Sequence, residues 1–425
     1  MRPFPPALLA WTIWGLGAVL YFIAFYQRVA PAVLTGELSS EFGLTAVTLG
    51  NLSAFYFYSY VAMQIPTGIL ADRWGPRRLL GIGAAVAALG TSMFALAPTL
   101  WWANMGRLLI GGAVGVAFVC MLKLASHWMR PRQFALTSGL ALLVGVIGAV
   151  SAGAPLRMLV NAFGWRPVMV ASALITLVLA LAIWWVVRDD PVERGYQSYF
   201  AGQHGNGQSA HFFAGFREVL RYRNTWLLFF IPGAASGIVL TFAGLWGVPF
   251  LVTHYGRTQT EAAWLCSLMM IAWAVGSLAY GAASDRLGTR KPLFLAGFVV
   301  SLALWSVLIF VPGLTQGVLA AVLIALGVFS SNFIVSFAFA KESVPAHLAG
   351  TVSGITNMGV IQGPMFMQPL AGWMLDRRWQ GVLHDGVRVY DFAAYQNAFI
   401  PLLIWGCFSM VLLLFARETR CRQAA

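Results

Sequence analysis

Acidic residues are scarce in this chain: only 14 Asp and Glu stand among 425 residues, and all charged types together make up 10%. A soluble domain carries about 25%, so water is not the main solvent of this polypeptide. Cysteine is scarce too. Its four positions (Cys120, Cys266, Cys407, Cys421) show neither metal-ligand spacing nor an evident pairing, which argues against a metal centre or a disulfide framework and leaves them as packing residues. Short strands of alternating polarity are absent, which excludes a membrane barrel. The net charge of +13 lacks the basic stripe with interleaved aromatics that nucleic acid would require. No small-residue cleavage site closes the first apolar run, so that run reads as a span rather than a secretory leader. No cluster of His, Asp or Cys gathers at one end of the spans, which excludes an integral-membrane enzyme and a resident cofactor.

What is present is apolar sequence, 59% of the chain, in recurring stretches of about 20 residues or more. Each can cross a hydrocarbon core of roughly 30 Å as a helix, and their continuity in Leu, Ala, Gly and Phe argues for helices. The spans read as 7–34, 46–70, 79–98, 101–128, 135–160 and 166–187, then 225–252, 261–283, 292–312, 315–341, 350–375 and 392–416. The fold class is therefore all-α integral membrane, with twelve transmembrane helices in two six-helix bundles, 1–187 and 225–425. A polar cytoplasmic linker, 188–224, joins them and contains Asp189, Asp190, Gly205 and Ser209.

The charges orient these spans. With both termini inside, the outer loops hold only Arg166, Arg257, Arg377, Arg378 and Arg388, while most of the remaining Lys and Arg fall in inner loops. The positive-inside rule then places both ends in the cytoplasm.

A repeat organises the chain. Gly68-Ile-Leu-Ala-Asp72-Arg73-Trp-Gly75-Pro-Arg77-Arg78 returns 213 residues later as Gly281-Ala-Ala-Ser-Asp285-Arg286-Leu-Gly288-Thr-Arg290-Lys291. Both copies lie between the second and third helix of their half. Pro131 with Ser138-Gly139 echoes as Pro345 with Ser353-Gly354. These loops resemble the signature of the major facilitator superfamily. The resemblance implies a secondary transporter with a central cavity between the halves, opened alternately to each side. In such loops glycine permits a tight turn and close helix approach, and Asp72 and Asp285 can accept bonds from helix ends or pair with arginine. Gly68, Asp72, Arg73, Gly75, Arg77, Arg78, Gly281, Asp285, Arg286, Gly288 and Arg290 are the expected gating residues. Arg107, in Gly106-Arg107-Leu-Leu-Ile-Gly111-Gly112, resembles the family's helix-four motif and is expected to bond within its own half.

Charged residues inside a span mark function by default. Arg28 lies toward the outer part of helix one, on a face with Tyr21 and Phe25, and offers a fork of donors for a carboxylate. It could instead snorkel or pair with Glu37 or Glu41. Lys123 could touch substrate or snorkel to the inner interface, and Arg157 reads as an outer anchor. Helix two carries Tyr56, Tyr60 and Gln64 at every fourth position, a stripe that lines a cavity or packs locally. Trp246, Asn332, Asn357 and Gln362 are candidates of the same kind in the second half. No Asp or Glu stands at mid-membrane; Glu342 is the coupling candidate, with an ion pair to Lys341 or Arg132 as its other reading.

Tyr26-Gln27-Arg28-Val29-Ala30-Pro31, with Phe55-Tyr56-Phe57-Tyr58 and Met63-Gln64-Ile65-Pro66, resembles the anion:cation symporter group and also the proteobacterial intraphagosomal amino-acid transporters. That resemblance implies proton-coupled uptake of a small carboxylate-bearing solute across a bacterial inner membrane, by a monomer. Efflux of drugs or a siderophore is the alternative. The drug antiporters' Gly-x-x-x-Gly-Pro pattern is not matched by Val144-Gly145-Val-Ile-Gly148-Ala.

Overall fold

The structure is a computed structural model, and it describes residues 3–199 and 215–423. Arg2 and the part of the expected linker from 200 to 214, with His204, Gly205, Ser209 and His211, lie outside the described residues.

Ten helices among the described residues are long and apolar enough to cross a membrane. They are α1 (Ala7–Val33), a 50-residue helix (Ala46–Ala95), α4 (Leu100–Trp128), α5 (Pro131–Phe163), α6 (Trp165–Val186), α7 (Arg223–Tyr255), α8 (Gln259–Leu287), α9 (Lys291–Phe310), α10 (Gln316–Glu342) and α12 (Phe392–Leu414). The 50-residue helix is two spans. Gly75 breaks it at φ 78 and ψ 158, a left-handed region closed to most side chains, and Pro76 follows as the first residue of a new helix, where its missing N–H costs nothing. The parts are α2 (46–74) and α3 (76–95). α11 (Ala349–Arg377) has 29 residues and is more polar, with Asn357, Gln362 and Gln368. A short helix, Thr35–Phe42, follows α1, and a two-stranded hairpin of β1 (Leu383–His384) and β2 (Val387–Arg388) precedes α12.

The expected spans and the observed helices agree to within a few residues, with one informative difference. Both motif-loop helices extend past the expected ends at 70 and 283; Gly68 and Gly281 lie inside helices, as expected, and a Cβ on either would meet nothing within 4 Å. The helices simply run one more turn, because Asp72, Arg73, Asp285 and Arg286 are satisfied at a helix end facing water. The turns fall on Gly75 and Gly288, both at positive φ.

Packing divides the described chain into two compact units. The first comprises the described residues up to Arg28, Tyr58–Ser151 and 159–199; the second comprises Val29–Phe57, Ala152–Met158 and the described residues from Gly215 onward. Small residues allow close helix contact in each. In the first, Gly90 and Gly106 bring α3 against α4; in the second, Gly233 and Gly237 bring α7 against Gly359 and Gly363 of α11.

Candidate functional site

Arg28 closes the regular part of α1 in the first unit and is 4% exposed. Its guanidinium carbon lies 4.3 Å from the centroid of the Phe25 ring and 5.0 Å from that of Tyr60 on α2. Aromatic faces attract a cation most when water is excluded. Tyr21 meets Phe25 edge-on at 5.0 Å and Phe118 of α4 at 5.4 Å. Gly145 of α5 lets that pair sit close: a Cβ there would lie 3.0 Å from Tyr21 and 3.2 Å from Phe25.

The neighbouring residue ties this corner to α3 and α4. The Gln27 amide donates to Thr91 Oγ1 at 3.2 Å, and Arg107 Nη1 donates to the Gln27 backbone oxygen at 2.6 Å. Arg107, 1% exposed, thus bonds to the α1 backbone one residue before Arg28. Glu37 is held by Arg157, which donates to its carboxylate at 2.6 Å and to the Val33 oxygen at 2.8 Å. Arg157 is 7% exposed, so it is a buried tie within the second unit rather than an outer anchor. Of the stripe on α2, Tyr56 and Tyr60 are buried and Gln64 donates to the Tyr60 backbone oxygen at 3.4 Å. The unit boundary falls between them, with Tyr56 in the second unit and Tyr60 and Gln64 in the first.

The first motif loop is built around two clasps. Lys123 Nζ of α4 donates to Asp72 Oδ1 and to the Ala71 backbone oxygen, each at 2.8 Å. Arg77 gives its backbone N–H to Asp189 Oδ1 at 2.6 Å and its guanidinium to the Trp184 oxygen at 2.8 Å, with its carbon 5.4 Å from that indole. Arg73 and Arg78 are exposed. Burial pushes the Asp189 carboxyl above its usual range despite the Arg77 N–H bond. Beside it, Asp190 accepts from Val192 N at 2.8 Å and from the Ser198 hydroxyl at 3.0 Å, and lies 2.8 Å from His127 Nδ1. Burial opposes its charge, yet these partners hold it below the usual range.

In the second motif loop Arg290, 5% exposed, is the hub. Its guanidinium donates to Glu342 of α10 at 2.6 Å, to Asp285 at 2.7 Å and to the Ser284 hydroxyl at 2.8 Å. Burial opposes the charge of Arg290, but Glu342 and Asp285 outweigh it and raise its pKa further. Thr419 donates to Glu342 at 2.6 Å. Glu342 is therefore engaged by Arg290 and Thr419 rather than by Lys341 or Arg132; adjacent residues on a helix point apart, so Lys341 faces elsewhere. Glu418, just past α12, accepts from the backbone N–H groups of Arg290 at 3.0 Å and Lys291 at 2.7 Å. Arg286 is exposed.

The other candidates of the second unit are dispersed. Trp246 Nε1 donates to the Gln368 oxygen at 3.1 Å, and Gln362 donates to the Phe229 oxygen at 2.7 Å. Asn332, fully buried on the 3-10 segment Ser331–Ile334, lies against Gly297 of α9, where a Cβ would be 2.6 Å from its own. Asn357 is half-buried on α11. Thus the structure places Arg28 against Phe25 and Tyr60, with Tyr21 edge-on to Phe25 and Gln64 one turn along α2, and places Lys123 with the motif loop. The sequence does not single out Asp189 and Glu418 as the acids that accept these backbone N–H groups, nor Asp376 near the end of α11. The available signal for the first two was their matching place, a few residues past the last helix of each half.

The profile of the Major Facilitator Superfamily matches residues 16–361 and, in a second alignment, 241–422. The chain is 25% identical to a probable sulfoacetate transporter of Cupriavidus necator over 86% of its own length and 87% of that protein. It is 24% identical to the gentisate transporter of Corynebacterium glutamicum over 85% and 82%. Its fold matches a bacterial homologue of the human lysosomal transporter Spinster in an inward-facing, unoccupied conformation, with a TM-score of 0.76 and 18% identity over 98% of both chains. With its paired motif loops and membrane-length helices, the chain belongs to the Major Facilitator Superfamily and is a multi-pass membrane transporter.

Proposed function

We propose that this transporter imports a small organic anion bearing a carboxylate, coupled to protons, across a bacterial inner membrane with both termini in the cytoplasm. The observation that carries the reading is Arg28, a buried guanidinium in α1 whose neighbours are the rings of Phe25 and Tyr60. Stacked rings engage the flat faces of a guanidinium, while a carboxylate is bound in its plane by the N–H fork. Tyr21 and Gln64 flank this position and supply hydroxyl and amide groups. Lys123, clasped to Asp72, is assigned to the inner gate rather than to the solute. The names of the sulfoacetate and gentisate transporters, both of organic acids, support the substrate class.

In this reading the chain works as a monomer of two six-helix halves, 1–187 and 225–425, joined by 188–224, and the 213-residue repeat supports that division. The motif loops act as cytoplasmic latches. The purified protein is screened for thermal stabilisation by carboxylates, amino acids, sugars and hydrophobic cations, and each hit is repeated with Arg28→Ala. A carboxylate that stabilises the parent and not the variant is the expected result. Stabilisation by hydrophobic cations alone, unchanged in the variant, would overturn the proposal.

A further inference from the structure

At the face opposite the termini, where α2 begins and α11 ends, one carboxylate gathers four donors. Asp376, with 15% of its side chain exposed, accepts from Ala46 N at 3.0 Å and Val47 N at 2.8 Å. It also accepts from Arg388 Nη1 at 3.1 Å and from the Tyr390 hydroxyl at 2.8 Å. The first two donors open α2, in the first sequence repeat; of the last two, Arg388 ends β2 and Tyr390 follows it, both in the same repeat as Asp376. The opening N–H groups of a helix have no partner within it and carry its positive end. Thr45 covers Thr48 N with its hydroxyl at 3.4 Å, and Asp376, 330 residues away, covers the two before it.

Below this contact the two backbones touch. A Cβ on Gly50 would lie 2.6 Å from the Gln368 oxygen, and one on Gly372 would meet the Ala46 oxygen. Burial and the Asp376 carboxylate push the Tyr390 hydroxyl well up, so it remains a donor.

The geometry points to Asp376 as the latch of this face, a gating residue of the transport cycle that holds α11 on the first turn of α2 and must let go before the face can open. The inference rests on alternating access between the two repeats, and not on which solute is carried. The arrangement suits a reversible latch. When α2 leaves, Asp376 keeps Arg388 and Tyr390, so no bare carboxylate remains, while the freed N–H groups of Ala46 and Val47 meet water. The sequence hides this role, since an acid at the end of an apolar helix does not reveal which distant helix start it meets.

The test needs no solute. Nitroxide labels at Ser40→Cys and Arg378→Cys, in full-length protein with Cys407→Ser and Cys421→Ser and reconstituted in lipid nanodiscs, report the opening of this face by double electron–electron resonance. The parent is expected to show a short distance. Asp376→Asn should raise the ratio of long to short distances by about tenfold, as expected for losing charge-assisted bonds to a helix start, and Asp376→Glu should restore much of the short population. Ala46→Pro is the second variant; proline is tolerated at the first helical position and deletes one of the two cross-repeat donors without touching the acid. A partial shift in the same direction is expected. Distance distributions unchanged from the parent in both Asp376→Asn and Ala46→Pro, with the protein monodisperse, would overturn the latch. Failure of carboxylates to bind would overturn the substrate class and leave these distances untouched.

Discussion

The two motif loops are near-copies in sequence, yet they are built with opposite polarity. In the α2–α3 loop the acid belongs to the loop and the cation comes from α4: Asp72 takes Lys123, and the Asp72 side chain is 54% exposed. In the α8–α9 loop the cation belongs to the loop and the acid comes from α10: Arg290 takes Glu342, with 6% and 13% of their side chains exposed. One feature is shared. An acid just beyond the last helix of each half, Asp189 or Glu418, accepts the backbone N–H that opens the third helix of that half. A repeated motif therefore preserves backbone capping more strictly than it preserves side-chain pairing. Exposed ion pairs contribute little, so the wet pair is the weaker of the two ties and the dry one the firmer.

The sharpest way to break this contrast is Arg290→Ala, which strands Glu342 without its counter-ion; the expected loss is about 3–5 kcal/mol, read as a large fall in apparent melting temperature in detergent. Arg290→Lys, which keeps the charge but not the fork, should fall between. Next, Asp189→Ala and Glu418→Ala each remove a helix cap and should cost about 1 kcal/mol apiece. Similar losses from the two would sharpen the shared feature, and a loss confined to one side would break it. Lys123→Ala should cost less than about 1 kcal/mol in the same melts, while accelerating exchange between conformations in single-molecule distance measurements.

The smallest effect concerns Asp190, which sits beside the first loop only. Its carboxyl lies below the usual range in the fold, so its contribution is fully present above the ordinary carboxylate pKa, declines below it and is gone once pH has fallen through the lower folded value. Melting temperatures taken through that acid window should drop more in the parent than in Asp190→Asn.

Most of the architecture was legible because a span announces itself by length and apolarity. The twelve helices, the Gly75 and Gly288 turns and the half-length repeat needed nothing further. Helix ends in the motif loops were read too short, since Asp72 and Arg73 look like loop residues when charge alone is weighed. Partners were harder. For Glu342, the coupling candidate, the sequence offers Lys341 or Arg132 as ion-pair partners, but helical geometry sends Lys341 away and the α8–α9 loop supplies Arg290. Arg28 is visible as a charge in an apolar run beside Phe25 on the same helix face, whereas the Tyr60 ring depends on how α1 meets α2, and Asp376 depends on a contact spanning most of the chain.

The central claim is transport of an organic anion through Arg28. Proteoliposomes given external radiolabelled carboxylate, with parent and Arg28→Ala protein at equal density, test it most directly. The account predicts time-dependent uptake by the parent that rises with an inward proton gradient and falls to the empty-vesicle level in the variant. Equal uptake by parent and variant would contradict it.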